Sequence, residues 1–168
     1  MSTTALMTFA EFEQLPDCPG KQELIDGELI QLPPPEFVHS LVAKWSYDLL
    51  LAAIEPHRVF SEVGFRIGGG WLQPDVSVLW PDQQIGERYL ARGPMLAIEV
   101  LSPSNTAAQI DRKLTLYFSE GAGEVWVVNP RRRTMTVFRD SLRLPIEASY
   151  TSELLAVSVD LTQMPSIT

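Results

Sequence analysis

The chain of 168 residues carries one cysteine, Cys18, and two histidines. A single thiol cannot close an internal disulfide, and with no second thiol or nearby histidine it makes no metal site, so Cys18 reads as a loop residue. No run approaches the roughly 18 consecutive apolar residues of a membrane span, and no membrane partner is expected. The opening segment "MSTTALMTFAEFEQLPD" lacks the basic flank and long apolar core of a secretory signal, which sets a cytoplasmic location as the expectation. Positive charge is scarce: 13 Lys and Arg stand against 21 Asp and Glu, a net charge of −8. Such a balance repels a polyanion in bulk and argues against a nucleic-acid-coating role, while leaving room for a local basic patch beside an acidic cleft. Neither a G-x-G-x-x-G nor a Walker loop occurs, so nucleotide-cofactor chemistry is not expected. Internal repeats and low-complexity segments are also missing.

What is present suits one globular domain over residues 1–168, with 45% hydrophobic residues available for a core. "KQELIDGELIQLPPP" reads as a β-hairpin turning at Asp26-Gly27. "HSLVAKWSYDLLLAAIE" places Leu41, Val42, Trp45, Leu49, Ala53 and Ile54 at helical spacing behind Ser40 as a candidate cap. "HRVFSEVGFRIGGGWLQPDVSVLW" holds two strand-like runs, the second with Asp75, Ser77 and Leu79 on one face and Val76, Val78 and Trp80 on the other. After a polar loop at 81–94, "MLAIEVLSPS" is an apolar strand in which Ala97, Glu99 and Leu101 share a face. "SPSNTAAQIDRKLTLYFSEG" predicts a helix with a Thr106/Gln109 capping box, a packed stripe of Ile110, Leu114, Tyr117 and Phe118, and a stop at Gly121. "EVWVVNP" and "TMTVFR" are two further strands around a turn with Arg131, Arg132 and Arg133. "SYTSELLAVSVDLTQM" alternates enough for another strand or an interface. The order gives an α/β fold, a mixed central sheet flanked by helices with an N-terminal hairpin.

Two carboxylates interrupt apolar strands. An ionised carboxylate in such a strand costs several kcal/mol unless it is paired, hydrogen-bonded or metal-bound, so Glu99 and Asp75 each require a partner. If their strands are neighbours, both side chains converge at one sheet end, and two hard oxygen donors with room for water suit Mg²⁺. Lys113 stands at the edge of the helix stripe, where it either faces solvent or snorkels toward the sheet end where Glu99 emerges. His39 reads either as a group reaching that cleft, as metal support or base, or as a surface or capping residue. His57 reads as structural or solvated. Ser102 and Ser104 lack a histidine and an acid at triad spacing. The arginine turn reads as a solvated loop that could also contact phosphate.

"ELIDGELIQLPPPEFVHS", "PDVSVLW", "AIEVLSPSN" and "DRKLTLYFSEGAGEVWVVNP" together resemble the Uma-two family, from about Thr8 to Phe138. The resemblance implies a restriction-endonuclease-like PD-(D/E)XK fold. Asp75 then corresponds to the aspartate of the PD motif and Glu99 to the acid of (D/E)XK. Leu101 occupies the place of the usual lysine, and Lys113, in "K-x-x-x-Y" with Tyr117, resembles a migrated replacement. His39 matches the histidine after the proline-rich loop, and Asn129 replaces the usual aspartate after "WVV". The implied activity is Mg²⁺-dependent hydrolysis of DNA phosphodiester bonds, with Mn²⁺ as a substitute. The metal ligands would be Asp75, Glu99 and the carbonyl of Val100, and Asp75, Glu99, Lys113 and His39 would be the catalytic set. The competing readings are a catalytically inactive nuclease-fold module for dimerisation or protein binding, and hydrolysis of a smaller phosphoester. A homodimer is the expected assembly, because cutting both strands of DNA takes two sites.

Overall fold

The computed structural model describes residues 6–167. The first five residues of the segment read above for a signal lie outside that range. Among the described residues, no helix is long and apolar enough to cross a membrane.

A short helix α1 (Phe9–Phe12), capped by Thr8 and Glu11, precedes the hairpin of β1 (Lys21–Ile25) and β2 (Glu28–Leu32). The hairpin turns where expected: Asp26 and Gly27 have φ of 51° and 77°, the left-handed pair that matches strand twist in a two-residue loop. Helix α2 (Phe37–Leu51) leads to the six-stranded sheet of β3 (Val59–Ser61), β4 (Val76–Val78), β5 (Leu96–Val100), β6 (Glu124–Asn129), β7 (Thr134–Arg139) and β8 (Leu142–Ile146). The strands lie in chain order, and all neighbours are antiparallel except β5 and β6. That parallel pair requires a crossover, supplied by α3 (Ala107–Ser119). A second hairpin, β9 (Ser149–Ser152) with β10 (Val157–Asp160), completes the chain.

Period-2 alternation divides the core into two layers. Val76, Val78, Leu96, Ile98, Trp126 and Val137 pack on one face with α2 and the β9–β10 hairpin. Leu79, Ala97, Val125 and Val127 pack on the other with α3 and residues of the β1–β2 hairpin. Because β5 is covered on both faces, all five of its residues are buried, as a strand with near-continuous apolar sequence should be.

Helix α3 matches its sequence signals. Thr106 and Gln109 form the reciprocal capping box, and Gly121, at φ 85°, follows the last turn. Its packed stripe is wider than the expected one: Leu114 and Tyr117 are buried together with Lys113 and Leu116, and Ile110 and Phe118 pack half-buried at the margin. Two details of α2 also differ from expectation. The helix begins at Phe37, so Ser40 lies inside the first turn rather than at the cap, and Glu36 at the cap position makes no side-chain cap bond. Its most buried line runs through Val42, Ser46 and Leu50; of the expected stripe, Val42 and Ile54 are buried, Trp45 and Leu49 pack half-buried on the same core, and Ala53 is exposed. The helix is apolar on more than one face, so periodicity alone could not choose between adjacent stripes.

Ile98 is fully buried between α2 and the sheet. Ile98→Ala is expected to lower the unfolding free energy in urea by about 2–5 kcal/mol, the range for such truncations.

Candidate functional site

The Pro74 peptide feeds Asp75 into the sheet immediately before β4, where its amide donates to the Ile98 carbonyl at 3.1 Å. Glu99 is the penultimate residue of the neighbouring β5. Asp75 lies two residues before Ser77 and Glu99 two after Ala97, so both carboxylates project toward the α3 side. They stand at the C-terminal end of the parallel β5–β6 pair, the end at which open α/β sheets bind ligands.

Each carboxylate is held by several groups. Asp75 Oδ1 lies 3.0 Å from Lys21 Nζ. Its Oδ2 accepts the Val100 amide at 2.8 Å and lies 3.3 Å from His39 Nε2. Glu99 Oε1 accepts the Tyr117 hydroxyl at 2.7 Å, and Oε2 lies 2.6 Å from Lys113 Nζ. Lys113 also donates to Glu23 Oε1 at 3.0 Å, and that oxygen in turn takes the Gln73 amide at 3.0 Å. The result is a buried cluster of three carboxylates (Glu23, Asp75, Glu99) and two ammonium groups (Lys21, Lys113).

Burial acts on every member of the cluster. At Asp75 it would raise the carboxyl, but Lys21, His39 and the Val100 amide outweigh it and hold the group well below the usual carboxylate range. At Glu99 burial prevails, with Glu23 and Asp75 adding to it against Lys113 and Lys21, and the carboxyl is pushed up. Lys113 is shifted upward because Glu23 and Glu99 overcome its desolvation, so it stays charged. Burial and the Glu99 charge push the Tyr117 phenol well above its ordinary value, which keeps it a proton donor.

Asp75, Glu99 and Val100 line a cavity of about 420 Å³ together with Lys21 and His39. Among the described residues, no three His, Cys, Asp or Glu side chains gather at metal-ligating geometry. That donor set does not suit a closed structural zinc site. Two carboxylates opening on a cavity, with one negative charge in excess over the lysines, suit a hard cation that keeps several waters.

Of the residues singled out in the sequence, Asp75, Glu99, Val100, Lys113 and His39 come together here. Lys113 is buried, with 5% of its side chain exposed, and not on a solvated helix face. His39, in the first turn of α2, points at Asp75, and its Nδ1 is buried without a hydrogen-bond partner. Arg131 does not line the cavity but lies 3.2 Å from Glu36, which does. Asn129 accepts the amides of Arg131 and Arg132, so it shapes the turn. Ser102 and Ser104 bond to each other, and Ser102 also to Asn105, where the chain leaves β5 for α3. His57 is exposed.

Lys21 and Glu23 escaped the sequence reading. The signal was present: in β1 they alternate with Ile25, and Ile25 is core, so two charged residues occupy the core-facing phase of a strand. What sequence could not supply is the strand's neighbour. Leu24 exchanges both backbone bonds with Trp71 at 2.9 Å, which sets Glu23 beside Gln73 and Lys21 beside Asp75. Arg112 fastens the hairpin to α3 through Asp26, Glu28 and the Ile25 carbonyl.

Comparison with known proteins gives the family and the fold. Residues 9–163 match the model of the Uma2 family, described as "Putative restriction endonuclease", and the chain belongs to that family. A solved structure from Anabaena variabilis, described as a "putative nuclease belonging to DUF820", has the same fold. It is 23% identical with a TM-score of 0.83, and the match covers 94% of this chain and 97% of that one. No curated protein matches the chain.

Because the folded Asp75 carboxyl is more acidic than an unfolded one, its stabilising effect is complete above the unfolded value of about pH 4 and vanishes as pH falls toward the folded value. Urea titrations between about pH 4 and pH 2 should show the parent losing stability more steeply than Asp75→Asn. Parallel losses in the two proteins would contradict the assigned environment.

Proposed function

We propose that the chain is a metal-dependent endonuclease that hydrolyses DNA phosphodiester bonds in the cavity bounded by Asp75 and Glu99. The observation that carries this reading is the convergence of two buried carboxylates and the Lys113 ammonium at the open end of a nuclease-family sheet. The lysine arrives from α3, although Leu101 stands where a strand lysine would be.

In this reading Asp75 and Glu99, with the Val100 carbonyl, hold Mg²⁺ or Mn²⁺. Such an ion supplies Lewis acidity toward the phosphate and lowers the pKa of a bound water. Lys113 stays charged next to Glu99 and orients the attacking water or offsets charge developing on the phosphoryl oxygens. Tyr117 fixes one Glu99 oxygen and so directs the other. His39 and Val100 do the same for Asp75, and Lys21 is its charged partner. Arg131, paired with Glu36 of the cavity wall, offers a contact for a flanking phosphate.

One observation favours the second reading, an inactive module. Asp75 and Glu99 each already hold a lysine of the same chain, Lys21 and Lys113, so both have a charged partner without a ligand.

Incubation with supercoiled and single-stranded DNA separates the two. Cleavage is expected with Mg²⁺ or Mn²⁺ and not with chelator, and Asp75→Ala, Glu99→Ala and Lys113→Met should each reduce it by at least about 100-fold, the scale of losing one electrostatic stabiliser. Cleavage that survives Asp75→Ala and Glu99→Ala would contradict the site. Absence of any cleavage, with no heat of metal binding in calorimetry, would establish the module.

A further inference from the structure

A second cavity, of about 380 Å³, lies against the first and shares His39, Asp75, Glu62 and Pro35 with it. Its remaining wall comes from α2, through Ser40, Ala43, Lys44 and Tyr47, and from Ser61 at the end of β3. The α2 residues fall at i, i+3, i+4 and i+7, one face of the helix. We propose that this cavity receives the base and sugar of an unpaired nucleotide beside the scissile phosphate, so that the substrate is single-stranded or locally unpaired DNA. The inference rests on the hydrolytic reading of the neighbouring site and narrows its substrate class.

Size is the first argument. The volume is at the lower end of small-ligand pockets. It is large enough for one nucleoside, the ligand of enzymes that take a base out of the stack. Lining chemistry is the second. The half-buried Tyr47 ring beside the small Ala43 offers a stacking wall. The hydroxyls of Ser40 and Ser61 and the Glu62 carboxylate are polar partners for a base edge or a sugar, and the exposed Lys44, paired with Asp48 one turn along α2, stands at the same wall. Glu62 is held at φ 52°, a left-handed conformation costly to any residue but glycine, at the boundary of the two cavities.

His39 links the two spaces. It lines both cavities, and its Nε2 faces Asp75. Charge is the third argument. Among the residues lining the two cavities, the lysines are Lys21 and Lys44 and no arginine is present. With a net charge of −8, this falls short of the roughly 6–10 phosphate contacts that hold many duplex binders. A single strand, gripped by one base and a few phosphates, needs less.

The test is fluorescence anisotropy of the full chain in Ca²⁺, so that binding is read without cleavage. The probes are a short labelled single strand, the blunt duplex of the same sequence, and that duplex with one unpaired nucleotide. The single strand and the interrupted duplex should bind at least about tenfold more tightly than the blunt duplex, the scale of one stacked base. Ala43→Trp, which fills the cavity, and Tyr47→Leu, which removes the stacking wall, should abolish that preference while leaving duplex affinity unchanged. Equal binding of all three DNAs by the parent protein, or a preference unchanged in both variants with parent-like circular dichroism, would overturn the proposal. Should either variant not fold, 2-aminopurine at the unpaired position reads the parent directly: a changed emission on binding supports insertion, and an unchanged one refutes it. A protein that prefers unpaired DNA in Ca²⁺ but cuts nothing in Mg²⁺ or Mn²⁺ would retain this cavity's role and lose the hydrolytic one.

Discussion

The Lys113 ammonium, buried between Glu23 and Glu99, is the interaction on which the rest of the site depends. It joins a residue of the N-terminal hairpin, a residue of a central strand and a residue of the crossover helix. None of the three charges could remain ionised there alone, because desolvating an isolated ion costs several kcal/mol. A buried ion pair adds little net stability compared with an apolar filling, but removing one partner is costly. The trio therefore constrains how α3 and the hairpin sit on the sheet more than it strengthens the fold. Around it, Tyr117 and Gln73 take up further hydrogen-bonding positions on the carboxylates.

Topology makes the trio possible. The single parallel pair, β5 with β6, forces a crossover, and its helix begins just beyond the strand end that carries Glu99. A turn of Ser102, Ser104 and Asn105 redirects the chain over that strand end. Lys113, on the second turn of the helix, then reaches back to Glu99. On the other side, β4 brings Asp75 to the same level, and its side chain caps β5 by accepting the Val100 amide. The ladder that builds the sheet thus also fixes the spacing of the two carboxylates.

Much of this was legible in the sequence, for physical reasons that can be named. Asp75 and Glu99 stand out because an apolar strand does not tolerate a free carboxylate, and period-2 alternation gave each a definite face. Thr106, Gln109 and Gly121 fixed the limits of α3 through local capping chemistry. Asp26-Gly27 fixed the first hairpin through its backbone conformation. The unread parts depend on contacts distant in sequence. Glu23 and Lys21 acquire meaning only once β1 pairs with the segment around Trp71, which no local pattern announces. The most buried line of α2 was partly misplaced because that helix offers several apolar stripes. The sixth strand, β8, went unread because Arg143 and Pro145 interrupt its apolar pattern, which suits a sheet edge.

The central claim is that a cluster of three carboxylates and two lysines takes a divalent cation between Asp75 and Glu99. Anomalous diffraction from crystals soaked in Mn²⁺ tests it most directly. The account predicts a peak within ligand distance of both carboxylates, roughly 2.0–2.3 Å, with Lys21 moved away from Asp75. A map without such a peak at saturating Mn²⁺, with Asp75 still on Lys21 and Glu99 still on Lys113, would contradict it.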